Sequence, residues 1–359
     1  MKKIFFSLVA IAALAACSKS QVQYDDPSGE VGFAPVARNI TKAALGVDDQ
    51  TYPSTQNIGI WSNYDGDVVH GTTVNYSTQF SVAYIEDKQF TYHDDTNPVS
   101  WAGVTPYYWP TNGSLVFAGY SMTAPTTAGT EAPAVGTSRS YNFSSDELKI
   151  NGYTQSTDPS ATFDLLWFGR TTTSFNLRNQ AAAVPVEFSH ALSWITINVI
   201  GEGAVLDADN TWAVTSVVIN NVADKGNVTC VGAGANAAQW TGLSDQDKTI
   251  EVWTGSQELE ATAKPIENTK YGTLVIPQEP KTLTVKYTYK TPAGVVIEEE
   301  TNVSLSLSGA KDASNNAITY TNWQSGTHYT YTLKFTQSEI LVAPTVEGWA
   351  EVNQNVTVN

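Results

Sequence analysis

The strictest constraint on the fold of this chain is an alternation of apolar and polar residues with a period of two. In the clearest run Tyr329, Tyr331, Leu333 and Phe335 alternate with threonine and lysine residues. Successive side chains of a strand point to opposite faces, so this pattern predicts a strand with one buried face. Comparable runs occur at residues 80–84, 114–118, 184–199, 214–222, 282–290 and 303–308. Helical periodicity is absent apart from one turn near residues 145–149, so the mature chain is predicted to be all-β.

The length and composition of the chain predict two sandwich domains. Its 359 residues are 42% hydrophobic, which is enough for a substantial core, and no repeat of about 40 residues indicates a propeller. The segment Phe163–Phe168 is apolar on both sides and favours a central strand. The Gly- and Asp-containing stretch 201–210 is the predicted connection between an N-terminal domain at 43–203 and a C-terminal domain at 204–339.

The N-terminus has the pattern of an export signal. Lys2 and Lys3 precede an apolar run at 4–16, which is shorter than the roughly 20 residues that a membrane-spanning helix needs. The tetrad Leu14-Ala-Ala-Cys17 resembles a bacterial lipobox, in which the Cys17 sulfur receives a diacylglyceryl group. Residues 1–17 are therefore predicted to be a lipoprotein signal peptide and 18–42 a leader. The alternative is an ordinary signal peptide with an incidental cysteine.

Charge and cysteine content exclude several classes of partner and stabilisation. The chain carries a net charge of −16, and without residues 1–17 it keeps 17 basic and 35 acidic residues, or −18. Such a chain repels phosphate backbones, so no nucleic acid partner is expected. If Cys17 is lipidated, Cys230 has no cysteine left to pair with, so no disulfide is expected.

Catalytic motifs are not found, and neither a catalytic residue nor a cofactor is predicted. The four histidines, at 70, 93, 190 and 328, form no HExxH pair, and no GxSxG motif occurs. Gly232–Ala237 resembles a dinucleotide-binding turn but is not followed by a helix pattern, so a glycine-rich loop is favoured.

Two weaker ligand hypotheses remain open from the residues alone. Oxygen-bearing side chains cluster at 63–67 and 93–95, where a calcium site and ordinary turn chemistry are the alternatives, and no metal site is predicted. Aromatic residues cluster at Trp101 and 107–109, where a sugar-stacking platform competes with packing in the core.

Taken together, the motifs resemble those of the fimbrillins, or type V pilins. The matching features follow the family's order along nearly the whole exported chain, and each is a short apolar or aromatic motif. They are the lipobox at Cys17, WPTNGSLVF (109–117), FDLL (163–166), VPVEFSHALSW (184–194), LVIPQ (274–278), WQSGTHYTYTL (323–333) and ILVAP (340–344) ahead of Trp349.

The resemblance implies both a fold and a mode of assembly. It implies two transthyretin-like β-sandwich domains in tandem, export as a lipoprotein precursor to the outer membrane, and a place in a cell-surface fimbrium that supports adhesion. It also implies removal of the leader by a surface protease of trypsin-like specificity. Thr41-Lys42-Ala43 stands where the family commonly has Thr-Arg-Ala, so Lys42 is one candidate cleavage site and Arg38 is the other.

The partners that the resemblance implies are other pilin subunits, joined by strand exchange. Loss of a leader strand would open an edge that recruits a strand from a neighbour. The tail at 340–359 is the expected donor, with Val352, Val356 and Val358 as the inserted side chains, and it is expected to act as a strand outside its own sheet. The alternative is a lipid-anchored module that binds glycan or protein and does not polymerise. A hydrolase using carboxylate pairs has no positive sequence feature.

Overall fold

The computed structural model of the chain describes residues 29–37, 52, 54–66, 74–93, 100–110, 112–122, 134–158, 161–171, 183–207, 211–232, 237–266, 273–291, 293–312, 314–337 and 339–348. Strands dominate these residues, and a 3-10 turn lies at Gly203–Leu206. The strands are β1 (Gly32–Ala37), β2 (Ile58–Asp65), β3 (Val82–His93), β4 (Ser100–Gly103), β5 (Ser114–Ser121), β6 (Ser138–Asn142), β7 (Glu147–Thr154), β8 (Leu166–Phe168), β9 (Val184–His190), β10 (Ser193–Gly201), β11 (Trp212–Val222), β12 (Lys225–Val231), β13 (Ala238–Ser244), β14 (Lys248–Glu258), β15 (Lys264–Ile266), β16 (Thr273–Val275), β17 (Thr282–Lys290), β18 (Val296–Ser304), β19 (Thr327–Phe335) and β20 (Ile340–Gly348). The all-β prediction is confirmed.

Seven strands of the N-terminal half form a closed barrel in the order β1-β4-β3-β2-β5-β8-β9. The barrel core consists of inward side chains of these strands and of adjoining segments: Val31, Phe33, Tyr52, Ile58, Ile60, Ile85, Phe90, Trp101, Trp109, Leu115, Phe117, Leu166, Phe168, Val184, Val186 and Phe188. The sequence predicted a two-sheet sandwich for this half, whereas the hydrogen-bonded path of strands closes through β1.

The C-terminal half contains two sheets that enclose a second core. One sheet has the order β15-β10-β19-β20, with β16 also paired to β10, and the other has the order β14-β11-β17-β18. The sandwich core lies between them and includes Ile195, Ile197, Val217, Ile219, Leu283, Val285, Tyr331 and Leu333. The alternation predicted for residues 329–335 is confirmed, because Tyr329, Tyr331, Leu333 and Phe335 are all buried.

A fourth sheet, β13-β12-β7-β6, joins the two halves, because β12 of the second half pairs with β7 of the first. Its inner face covers the outside of the barrel. The resulting bridging core includes Trp61, Val116, Tyr120, Leu148, Ile150, Trp167, Trp194, Val228, Cys230 and Leu274. One face of β5 was predicted to be buried, but all eight of its residues are buried because the bridging core covers its outer face.

The position at which the chain passes from one half to the other differs from the sequence-based expectation. The segment 184–199 was predicted to be one strand region, but it divides into β9 in the barrel and β10 in the sandwich. The predicted connection at 201–210 follows β10 and leads to β11, so it joins the two sheets of the sandwich. The chain leaves the barrel after β9 and enters the sandwich at β10, so the change from one sheet to the other occurs at residues 191–192.

Candidate functional site: the leader-strand slot of the barrel

The strand with the most consequence for the predicted assembly is β1, which lies within the segment 18–42 that the sequence predicts to be a leader. It fills a slot between β4 and β9. Gly32 and Phe33 pair antiparallel with Ala102 and Trp101 of β4, while residues 33–37 pair parallel with residues 184–188 of β9. Without β1, the facing edges of β4 and β9 would have no hydrogen-bonding neighbour in the barrel.

The side chains of β1 are part of the barrel core. Phe33 is fully buried, and its ring meets the rings of Phe90 and Phe117 edge to face, with both centroid distances 5.1 Å. Val31 is also fully buried and Pro35 is buried, so alternate residues point inward. Full burial of an apolar side chain stabilises by roughly 1.5–3 kcal/mol, so the slot binds β1 chiefly through this row.

Backbone hydrogen bonds extend the docking of the leader ahead of β1. The Val31 N–H donates to the carbonyl oxygen of Tyr107 at 2.7 Å, and the Trp109 N–H donates to that of Gly29 at 2.7 Å. The pairing with β4 stops at Phe33, two residues before Pro35, which has no N–H to donate. Residues 29–33 therefore pair with residues 101–109, and residues 33–37 pair with β9.

One titratable side chain lies in this segment of the leader. Burial raises the pKa of Glu30 above its ordinary value, and the nearby His93 lowers it by a smaller amount. The folded state therefore favours the protonated carboxyl group, so docking of this segment is expected to weaken as the pH rises through the pKa of Glu30.

A buried polar pair lies at the end of the slot. His190, two residues beyond Phe188 in β9, has its Nδ1 atom 2.8 Å from Oδ2 of Asp164, and both side chains are almost completely buried. Oδ1 of Asp164 has no hydrogen-bond partner among the described residues. The pair ties the end of β9 to the segment that leads into β8.

The aromatic cluster considered as a sugar platform belongs instead to the barrel. Trp101 is 6% exposed and donates its Nε1–H to the carbonyl oxygen of Gln56 at 2.8 Å, and Trp109 is 8% exposed. Tyr107 packs against the barrel core. The two tryptophan rings are therefore unavailable for stacking with a ligand and pack in the core, while Tyr107 and Tyr108 are half-buried.

The predicted site residues themselves lie outside the described residues. They are Cys17, Arg38, Lys42, Val352, Val356 and Val358. The structure instead places their neighbours: β1 ends at Ala37, directly before Arg38, and β20 ends at Gly348, four residues before Val352. The residues that line the slot were not predicted from the sequence to bind the leader, although Trp101 and 107–109 were noted as an aromatic cluster and 184–188 as an alternating run.

The first part of the tail differs from the expectation of a strand outside its own sheet. All nine residues of β20 pair antiparallel with β19, from Phe335↔Ile340 to Thr327↔Gly348. The Val346 N–H points away from β19 and donates to the carbonyl oxygen of Lys311. Pro344 has the same orientation in the strand, so its missing N–H costs no hydrogen bond to β19.

Neither a candidate metal site nor a candidate membrane-spanning helix occurs among the described residues. No group of three or more His, Cys, Asp or Glu side chains there is arranged to hold a metal ion. No helix in the same part of the chain is long and apolar enough to cross a membrane.

Comparison with known proteins assigns the chain to a family. The fimbrillin-like family profile matches residues 41–349, and a profile for the prokaryotic membrane lipoprotein lipid attachment site matches residues 1–18. No curated protein matches the sequence.

Two solved structures illustrate the relatives. A fimbrial protein from Bacteroides vulgatus is 17% identical, with 89% of this chain and 99% of that chain covered and a TM-score of 0.48. A fimbrilin from Porphyromonas gingivalis is 15% identical, with 90% and 98% covered and a TM-score of 0.41. The assignment depends on the family profile, which spans most of the sequence. This chain therefore belongs to the fimbrillin-like family.

Proposed function

We propose that this protein is a non-enzymatic structural subunit of a cell-surface pilus that supports adhesion and polymerises by exchange of β-strands. The observation that carries the proposal is the position of β1 in the barrel. A segment of the leader completes the wall of a folded domain, with Phe33 fully buried, and ends directly before a basic residue, Arg38.

The proposal assigns processing to one of two bonds. A surface protease of trypsin-like specificity cuts after Arg38 or Lys42, which severs β1 from the rest of the barrel. The cut alone does not empty the slot, because β1 is still bound by its hydrogen bonds and by the burial of Val31 and Phe33. An incoming strand has to replace both kinds of contact.

The donor strand in this proposal is the tail of a neighbouring subunit. Val352, Val356 and Val358 stand at even-numbered positions, so they share one face of an extended strand, as Phe33 and Pro35 do in β1. Insertion restores main-chain hydrogen bonds and fills the vacated pockets with apolar side chains. Each subunit accepts at its barrel and donates from its tail, so the contact is head-to-tail and grows a filament.

The remaining parts of the proposal concern anchoring and domain organisation. Cys17 carries the lipid that holds the precursor in the outer membrane until the leader is cut. The two halves of the chain are proposed to be tandem transthyretin-like sandwich domains. The separate cores of the two halves support a division into two domains, and the two facing sheets of the C-terminal half support the sandwich form there.

The deciding experiment determines the N-terminal residue of the protein recovered from cells. We expect Asn39 or Ala43, together with ladders that resist SDS. Deletion of residues 352–359 should abolish the ladders while the leader is still processed. A lipid-blocked N-terminus at Cys17 without polymer, or ladders that survive the deletion, would contradict the proposal and favour an anchored, unpolymerised surface protein.

A further inference from the structure

The leader-strand slot contains one deep pocket, which the Phe33 ring fills. That ring is fully buried and meets the rings of Phe90 and Phe117 edge to face at 5.1 Å. The Trp109 ring packs against Phe117 at 5.8 Å, so the wall behind the pocket is itself held by aromatic contacts. A smaller aliphatic side chain would leave a void there, because close-packed walls relax only partially. The pocket therefore favours an aromatic occupant.

The position before the pocket restricts the size of the occupant. Gly32 lies against Ser100 of β4, whose side chain is buried. A β-carbon at position 32 would lie 2.9 Å from the Oγ atom of Ser100 and 3.3 Å from its Cβ atom. Both distances are shorter than those of well-packed atoms, and a longer side chain needs still more space. The wall therefore favours glycine at this position.

The positions on either side of the pocket require apolar side chains. Val31 and Pro35 are buried in the same row as Phe33, whereas Ala34 between them is half-buried. A polar group placed at position 31 or 35 would lose its water without gaining a partner in the apolar core. The slot thus matches an apolar residue, a glycine, an aromatic residue, a small residue and a second apolar residue, in that order.

The tail of this chain does not have that pattern. Val352, Val356 and Val358 share their strand face with Ala350 and Gln354, so this face has no aromatic ring. The residues next to the three valines are glutamate, asparagine or threonine, at 351, 353, 355, 357 and 359. In either chain direction, one of these side chains would meet the wall that favours glycine. The tail would therefore underfill the pocket and crowd the wall beside it.

The aromatic residue of the tail does not remove the mismatch. Trp349 follows a glycine, as the ring in the pocket does, but the residues at 347 and 351 are both glutamates. They share the strand face of Trp349, so insertion of its ring would carry two carboxylates towards buried positions. Gly348 is also already paired with Thr327 in β20.

We propose that the slot selects a donor strand in which glycine precedes a large aromatic residue between two apolar positions, and that Phe90, Phe117 and Ser100 set this selectivity. The inference rests on the proposed strand exchange and specifies the partner, a pilin whose tail differs from that of this chain. The valine-bearing tail of this chain then enters the slot of a different subunit. Cleavage of the leader alone does not start self-polymerisation, because β1 fits the slot better than the tail of a second copy.

The test uses the full-length precursor after limited trypsin digestion at Arg38 or Lys42, with the leader fragment still bound. Excess synthetic peptide is added, and mass spectrometry after gel filtration measures how much leader fragment stays with the protein. A peptide of residues 29–38 should displace the fragment. A peptide of residues 349–359 should need a concentration about 100-fold higher, or fail.

Variants of the two peptides test the two features separately. Phe33→Val and Gly32→Asn in the leader peptide should each weaken displacement by about tenfold or more, whereas Ala34→Ser is the matched control and should have little effect. Thr357→Gly combined with Val358→Phe in the tail peptide should strengthen displacement by about tenfold or more, because the pair recreates the glycine and the ring behind Val356.

Three outcomes overturn the inference while the pilus proposal stands: displacement by the unaltered tail peptide equal to that by the leader peptide, insensitivity to both Phe33→Val and Gly32→Asn, or SDS-resistant ladders formed by the purified processed protein alone. Failure of every peptide, including the leader peptide, at all incubation times would show that the slot does not exchange strands. That result would overturn the strand-exchange proposal and this inference together.

Discussion

At the scale of single residues, Phe33 makes the aromatic contacts that join β1 to the barrel core. Its ring is fully buried between Phe90 and Phe117, although it belongs to a segment proposed to leave the protein. A side chain can be central to the core of the precursor and absent from the assembled form. The energetic role of Phe33 should therefore depend on the processing state.

Phe33→Ala should destabilise the unprocessed protein by about 3–5 kcal/mol, because it leaves a cavity between two aromatic rings. Urea unfolding of the purified precursor measures the change. Ala34→Ser, at the adjacent half-buried position, is the control and should cost much less. Equal effects of the two substitutions would show that the slot does not hold the Phe33 ring.

The pair of Asp164 and His190 gives a second prediction at this scale. His190→Leu should destabilise by about 3 kcal/mol, because both oxygens of the buried Asp164 carboxyl group then lack their partner. The double variant with Asp164→Leu as well should recover part of that loss. A double variant less stable than His190→Leu, measured by urea unfolding, would contradict this account.

His328 predicts a dependence of stability on pH. Its ring lies 3.5 Å from the Trp194 ring, and burial lowers the pKa of His328 from 6.5 to about 4. The unfolded chain then binds a proton at a higher pH than the folded chain does. The free energy of unfolding should therefore fall by up to about 3 kcal/mol as the pH drops from about 6.5 to 4.

The measurement compares urea unfolding at pH 7 and pH 4.5 for the wild type and His328→Phe. Phenylalanine keeps a ring against Trp194 but has no titratable group, so the variant should lose less stability at the lower pH. Carboxyl groups titrate in both proteins and cancel in the comparison. Identical losses would rule out His328 as the cause.

At the scale of elements, the C-terminal end of the described chain differs from what its sequence suggests. β20 pairs along its full length with β19, so the tail contains a strand that belongs to the subunit before any donor segment begins. In the proposed assembly, donation would then be confined to residues beyond Gly348. Two deletions of different length should separate the two roles.

Deletion of residues 349–359 should leave the stability of the monomer nearly unchanged, because β20 remains. Deletion of residues 340–359 removes β20, uncovers the edge of β19 and exposes the buried side chains that Val346 covers. We expect that protein to be several kcal/mol less stable in urea, at about 1.5–3 kcal/mol for each apolar side chain exposed. Similar stability of the two truncated proteins would mean that β20 contributes little to the sandwich.

The sequence predicted which residues of a single strand are buried, but it did not predict which strands pair with each other. The burial at 329–335 and at Leu166–Trp167 could be predicted, because the pattern of apolar residues within one strand indicates which faces are buried. The Leu166 side chain lies in the barrel core and the Trp167 side chain lies in the bridging core. The division of 184–199 into β9 and β10 at residues 191–192 could not be predicted, because apolar and polar residues alternate in the same way in both strands. The pairing of β7 with β12 joins residues far apart in the chain, and the alternation within each strand does not indicate its partner. The slot was partly predictable, because the alternation in 184–199 that contains β9 was visible, whereas the pairing of β1 with β4 and β9 was not.

At the scale of the whole molecule, the bridging sheet makes the two halves one hydrogen-bonded body. β7 and β12 pair directly, and the bridging core draws side chains from both the barrel and the sandwich half. A load on one end of the subunit is then carried through a continuous sheet. The halves should accordingly be coupled in stability.

Ile150→Ala, at the centre of the bridging core, should cost about 2–5 kcal/mol and reduce the hydrogen-exchange protection of β5 and β10 together. Ile60→Ala is the matched control, because Ile60 is equally buried but belongs to the barrel core. It should affect the barrel more than the sandwich. Independent behaviour of the two halves in both variants would contradict the coupling.

The number of strands in the barrel also has a consequence for which strand can be lost. A closed ring with an odd number of strands cannot alternate up and down all the way round, so a ring of seven must contain a seam where neighbours run the same way. Here the seam is between β1 and β9, and the other six strands alternate strictly. Removal of β1 therefore leaves an even, fully antiparallel set whose own pairing is unbroken. Any strand that enters the gap runs parallel to one wall and antiparallel to the other, so side chains, not backbone direction, must decide which way it points.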